Sequence, residues 1–253
     1  MNHGLDHTPD PLNEAIRNAG TLALVGSGEY LPPSEPLDRF LISCLKDTPR
    51  VVCLPTAAGA EGDERIDYWG RLGENHFRKL GAQADALTVI DRPSAMDESL
   101  AARIAQANFV YFSGGKPDYL YRVMVGTPCW TAVVGVLAKG GVVAGCSAGA
   151  MIFGERIPAF RNFQTTQPGF GGLPHSLILP HYDEIPAGAR AMAHAVLPGG
   201  MVMVGVEGST ALVICRGTMR VAGLGGVTLW GKKVKQRLTE DDAPFDGLDA
   251  YLE

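Results

Sequence analysis

Ser147 stands at the centre of Gly145-Cys146-Ser147-Ala148-Gly149, between the apolar run Val142–Cys146 and a stretch of small, helix-compatible residues. Gly-x-Ser-x-Gly in that setting is the pattern of a nucleophile elbow. The chain turns sharply from strand to helix, holds one side chain in a strained conformation, and tolerates only small neighbours. The chemistry such a turn serves is attack by a serine hydroxyl on an acyl carbon. Cys146 is adjacent but off-centre, so its side chain is expected to point into the structure.

A serine hydroxyl is a weak nucleophile until a base takes its proton. Of six histidines, His3 and His7 fall in a polar N-terminal stretch, His76 and His194 in helix-like runs, and His175 before a strand. His181, in Leu179-Pro180-His181-Tyr182-Asp183-Glu184, follows a strand and is the expected base. A carboxylate should orient it. Glu207 closes the apolar run Val204-Gly205-Val206 and is the expected third member. Glu155, about two helical turns beyond Ser147, is the alternative. Asp183 and Glu184 are assigned to substrate or solvent. The backbone N–H groups of Ala148 and Gly115 are the expected oxyanion donors. Gly114, Lys116 and Glu29 are expected to line the substrate pocket, with Lys116 pairing a carboxylate. A plain Gly-Gly turn and an exposed lysine are the simpler readings of the same residues.

Other chemistries find less support. Gly26-x-Gly28 lacks the third glycine of a dinucleotide fingerprint, Leu31 standing in its place, and no P-loop pattern occurs. His175 and His181 straddle a strand, a poor arrangement for sharing one ion. Neither metal nor cofactor is expected. The net charge of −5 argues against a phosphate-binding surface, so nucleic acid is not an expected partner. Five cysteines without C-x-x-C spacing suit a reducing, cytoplasmic setting. Met1–Asp10 lacks the apolar core of a signal peptide, and no apolar run approaches the ~20 residues that span a bilayer. Membrane is not an expected partner either.

The elements that must position these groups alternate. Strands are expected at Thr21–Ser27, Arg50–Pro55, Ala86–Ile90, Asn108–Ser113 and Val142–Cys146. Helices are expected at about Glu35–Leu45, Asp63–Leu80, Asp97–Gln106 and Pro128–Ala138. That rhythm reads as a parallel sheet covered on both faces. Later strands, Leu177–Pro180, Met201–Glu207, Thr210–Cys215, Met219–Gly223 and Val227–Trp230, are closely spaced and read as antiparallel strands at one sheet edge. Ligands of such sheets collect outside the carboxyl ends of the strands, which would bring Ser147, Gly114-Gly115, His181, Glu207 and Gly26–Glu29 to one rim. Across 253 residues there is no repeat or linker-like segment, so residues 1–20 are read as a tail and 21–253 as one domain.

From about Thr21 to Gly231 the ordered set resembles the dipeptidase E/cyanophycinase family of serine peptidases, which share the class I glutamine amidotransferase-like fold. The residues carrying the resemblance are Gly26-Ser27-Gly28-Glu29, Phe112-Ser113-Gly114-Gly115, Gly145–Ala150, Pro180-His181-Tyr182 and Gly205–Leu212. It implies a three-layer α/β/α sandwich, with Ser147 as nucleophile, His181 as base, and hydrolysis of a small peptide or amide substrate. Lys116-Pro117 and Ile185–Arg190 depart from the family pattern at positions of substrate recognition. Assembly as a homodimer is allowed. A non-catalytic peptide- or small-molecule-binding protein is the second reading of the scaffold. A glutamine amidotransferase would need cysteine at position 147.

Overall fold

The computed structural model describes residues 10–158 and 166–252; the expectations for His3, His7 and the first nine residues lie outside the described residues. In chain order the elements are α1 (Pro11–Asn18), β1 (Thr21–Val25), α2 (Glu35–Ser43), β2 (Arg50–Leu54), α3 (Asp63–Lys79), β3 (Gln83–Ala86), α4 (Arg92–Ala95) and α5 (Glu98–Gln106). β4 (Phe109–Phe112), α6 (Pro117–Met124), α7 (Pro128–Ala138), β5 (Val142–Cys146), α8 (Ala148–Met151), β6 (Gly154–Pro158), β7 (Thr166–Pro168) and β8 (Leu173–Leu179) follow. The chain continues through α9 (Ala187–Ala195), β9 (Val202–Val206), β10 (Thr210–Cys215), β11 (Thr218–Gly223), β12 (Val227–Trp230), β13 (Lys235–Leu238) and β14 (Phe245–Asp246).

An eight-stranded sheet runs β14-β11-β10-β1-β5-β4-β2-β3. Strands β1, β5, β4, β2 and β3 are parallel; β10, β11 and β14 extend the sheet antiparallel beyond β1. Every residue of β1 is buried, because successive side chains enter different cores. Ala23 and Val25 pack in a cluster with Leu37 and Leu41 of α2 and Phe77 of α3. Leu22 and Leu24 join a larger cluster with Ile16 of α1, Ile104 of α5 and Leu137 of α7. Helices thus cover both faces, and the architecture is a three-layer α/β/α sandwich. Among the described residues no single helix is long and apolar enough to cross a membrane.

Three sequence expectations need correction. β9 and β12 do not join the edge of that sheet. They lie in a second, six-stranded sheet ordered β13-β12-β9-β8-β6-β7, in which β8 is parallel to both β6 and β9. A continuous apolar run such as Val202–Val206 marks a buried strand without encoding its neighbours. In this second sheet Ile178, Val202 and Val204 face the large cluster, while Leu177, Leu179 and Met203 pack against Ala193 of α9. Second, residues 11–18 are not a tail. Asp10 caps α1 by accepting from the Leu12 N–H at 3.0 Å, Pro11 opens the helix, and Leu12, Ala15 and Ile16 are buried at helical spacing. Third, β3 begins at Gln83 rather than Ala86, since this edge strand pairs on one side only and presents Gln83 and Asp85 to solvent.

α2 and α3 are joined by a buried polar pair: His76 Nε2 lies 2.8 Å from Asp38 Oδ2, with His76 8% and Asp38 0% exposed. Burial pushes the Asp38 carboxyl up, and the His76 imidazole pulls it back. Removing one partner leaves the other polar group buried without compensation. His76→Ala is therefore expected to cost about 3–5 kcal/mol, measured as a loss of denaturation midpoint.

Candidate active site

Ser147 sits between β5 and α8 with φ 53° and ψ −114°. Its N–H donates to the Val25 carbonyl of the neighbouring parallel strand at 3.0 Å, and its carbonyl accepts from Ala150 and Met151. The elbow is tight enough that a Cβ placed on Gly145 would lie 2.1 Å from the Gly149 carbonyl oxygen. Only a residue without a side chain permits that crossing. The chain therefore turns sharply at Ser147 between strand and helix, and the Ser147 side chain is left partly accessible.

His181 follows β8 in the second sheet and also has positive φ, 54°. Its Nε2 is 3.0 Å from Ser147 Oγ. Its Nδ1 is 3.3 Å from Glu184 Oε1. If Ser147 donates to Nε2, the other nitrogen carries the ring proton and donates to Glu184. The Glu184 carboxylate is 62% exposed and the imidazole 41%, so this orienting contact is solvated. Ser27 Oγ, at the end of β1, lies 3.4 Å from the same Glu184 oxygen.

Glu207 does not approach the histidine. Its Oε1 and Oε2 accept from Arg237 Nε and Nη2 at 2.7 and 2.6 Å, and Oε2 also accepts from the Gly226 N–H at 2.8 Å. The Arg237 guanidinium holds the Glu207 carboxyl below its usual range, against the opposing effect of burial. The apolar run preceding Glu207 places it at the correct strand end but cannot say which way its side chain turns. On this geometry the expected contact of Glu207 with His181 is absent, and the carboxylate beside the imidazole is Glu184. Glu155 lies elsewhere, accepting from the His175 N–H at 2.7 Å. Glu184, expected to face substrate or solvent, instead meets the imidazole, and its spacing of three from His181 is the sequence signal for that contact. Asp183 instead accepts from the Gly208 N–H at 2.9 Å, bracing the strand-end loop after β9.

The Gly114-Gly115 loop follows β4 beside the elbow, and a Cβ on Gly114 would lie 3.4 Å from Ser147 Cβ. Gly115 is exposed with φ 142°, and among the described residues its N–H has no partner. The Gly114 N–H donates to Glu29 Oε1 at 2.9 Å and is not free for a substrate. Glu29, expected to line the pocket, is 7% exposed and directs its second oxygen to Cys146 Sγ at 3.0 Å. It belongs to the layer beneath the site. Lys116 is exposed at the start of α6, its N–H donating to the Ala57 carbonyl at 2.9 Å. Cys146 is fully buried, and burial followed by the nearby Glu29 carboxylate pushes its thiol well up. A protonated, inaccessible thiol is not a nucleophile.

The model of "Peptidase family S51" matches residues 22–222. Two curated relatives, the cyanophycinases of Synechococcus elongatus and Thermosynechococcus vestitus (strain NIES-2133 / IAM M-273 / BP-1), are each 30% identical over 174 residues, covering 64% of this chain and 54% of theirs. The chain spans about half the length of the curated relatives it matches. The crystal structure of a peptidase from an acI-B1 Actinobacterium is similar with TM-score 0.81 and 31% identity, over 91% of this chain and 98% of that one. A putative peptidase E protein from Listeria monocytogenes EGD-e shares the fold, with TM-score 0.60 and 17% identity over 81% and 99% of the two chains.

Proposed function

Because the chain belongs to peptidase family S51, we propose that it hydrolyses short peptides or related amides through an acyl-enzyme on Ser147. The observation that carries this reading is the 3.0 Å contact between Ser147 Oγ and His181 Nε2, made by a serine held in the strained backbone of an elbow. Ser147 Oγ attacks the acyl carbon while His181 Nε2 takes its proton. Glu184 holds the Nδ1–H and supports the imidazolium that forms. The oxyanion develops toward the N–H groups of Ala148 and Gly115. Ala148 is the first residue of α8, where the N–H has no partner within the helix. His181 then gives its proton to the departing amine, and a water deprotonated by the same imidazole releases the acyl group. Lys116, next to Gly115 in the chain, is exposed and would pair with a substrate carboxylate. The described cysteines, all free thiols, suit a cytoplasmic setting.

Treatment of the native protein with a fluorophosphonate should place one adduct on Ser147, located by peptide mass spectrometry. Iodoacetamide at neutral pH should leave hydrolysis intact and modify Cys146 after unfolding alone. Absence of the Ser147 adduct together with absence of dipeptide hydrolysis would favour a binding protein. Inactivation through Cys146 would favour amidotransferase-like chemistry.

The two carboxylates separate in their effects. Glu184→Gln is expected to lower kcat by about tenfold, less than the ~10⁴ of a buried orienting aspartate, because water already solvates this contact. Glu207→Gln, which loses the Arg237 pair, should leave kcat within about twofold and act on stability instead. Steady-state kinetics on both variants checks the assignment.

A further inference from the structure

One buried charge at the site has no part in proton transfer. Glu29 is 7% exposed, and its two oxygens divide between two segments of the chain. Oε1 accepts from the N–H of Gly114, the residue before Gly115. Oε2 accepts from the thiol of Cys146, the residue before Ser147. We infer that Glu29 is a positioning residue that clamps the loop carrying the Gly115 N–H to the elbow carrying the Ala148 N–H, and so sets the spacing of the oxyanion donors. This rests on the acyl-transfer reading above.

Three observations support the clamp. The loop, the carboxylate and the elbow are in contact, since a Cβ on Gly114 would meet Glu29 Oε1 at 2.8 Å and Ser147 Cβ at 3.4 Å. Glu29 is itself held from both sides. Gly28 and Tyr30 have positive φ, 83° and 63°, the Gly28 carbonyl accepts from Ser34 Oγ at 2.7 Å, and the Tyr30 ring is buried against Tyr111. The Cys146 thiol, kept protonated by burial, remains a donor toward the carboxylate. A negative charge here opposes an oxyanion, so the benefit of Glu29 is spatial rather than electrostatic. The structure makes an otherwise unfavourable buried carboxylate useful as a two-ended brace.

Kinetics on dipeptide substrates test this. Glu29→Ala should lower kcat by about 10²-fold, in the range of losing one oxyanion donor, with KM within about twofold. Glu29→Gln should restore kcat to within about threefold of the parent, because its carbonyl can accept from Gly114 and its amide can donate to Cys146 Sγ. Cys146→Ala should lower kcat by about tenfold, and in the Glu29→Ala background should add nothing. Parent-like kcat in a folded Glu29→Ala protein, or a Glu29→Gln kcat as low as that of Glu29→Ala, overturns the clamp. Should Glu29→Ala fail to fold, Cys146→Ala decides: unchanged kcat refutes the two-ended brace. A parent protein that neither hydrolyses nor labels at Ser147 refutes the acyl-transfer reading instead.

Discussion

Ser147→Ala is expected to lower kcat for peptide hydrolysis by about 10⁴–10⁶-fold, and His181→Ala by a comparable factor, with the double variant no worse than either single one. Ser147 Oγ and His181 Nε2 share one hydrogen bond of 3.0 Å; once either atom is gone, the other has no proton to give or take. Non-additivity is therefore the signature to measure, and kcat/KM for the three variants supplies it. Both substitutions leave the elbow backbone unaltered, so their melting temperatures should stay near the parent's. A residual rate that falls further in the double variant would mean that the two residues act on separate steps.

Gly145→Ala should do the reverse, destroying the fold before any chemistry is reached. The added Cβ would lie 2.1 Å from the carbonyl oxygen and 2.3 Å from the carbonyl carbon of Gly149, and 2.9 Å from the Ala150 nitrogen. All three obstacles are backbone, in a helix turn packed under buried strands, and no rotamer relieves them. The expected loss exceeds about 4 kcal/mol, which for a chain of this size is a fall of more than about 10 °C in Tm. Gly135→Ala is the matched control. That position lies inside α7, and a Cβ there meets nothing within 4 Å. It should be neutral or stabilise by about 0.5–1 kcal/mol, the usual gain from replacing a helical glycine.

Much of this arrangement can be read in the residues themselves, and the gaps have physical causes. β5, β10, β12 and α7 occur at the expected limits, because each is an apolar run ended by a turn residue or begun by proline. Ser147 and His181 were legible because each directly follows a strand, and a strand end fixes where a residue emerges. Glu184 was not. It is a long exposed side chain in a turn, and its contact depends on the positive φ of His181, which composition does not announce. Glu29 lies in the expected loop but deeper than its sequence suggests, since a polar residue after Gly-x-Gly reads as solvent-facing. The second sheet escaped because pairing between distant strands leaves no local pattern. α6 was masked by Lys116-Pro117, where proline opens the helix rather than ending the strand before it.

Ser147 extends from one sheet and His181 from the other, so their 3.0 Å contact works as a gauge of how the two layers are seated. Their ends meet where Ser27, just past β1, forms a parallel bridge with Gly208 and its carbonyl accepts from the Ser209 N–H at 2.9 Å. Side chains far from any substrate, such as Ile178 and Val204, fill the space between the layers. A methylene removed there is expected to loosen the seating of one sheet on the other, and with it the Ser147–His181 contact. Hydrolysis in this chain should consequently be lost on warming at a lower temperature than its secondary structure, and core variants at that seam should slow turnover while leaving every group in the site unchanged.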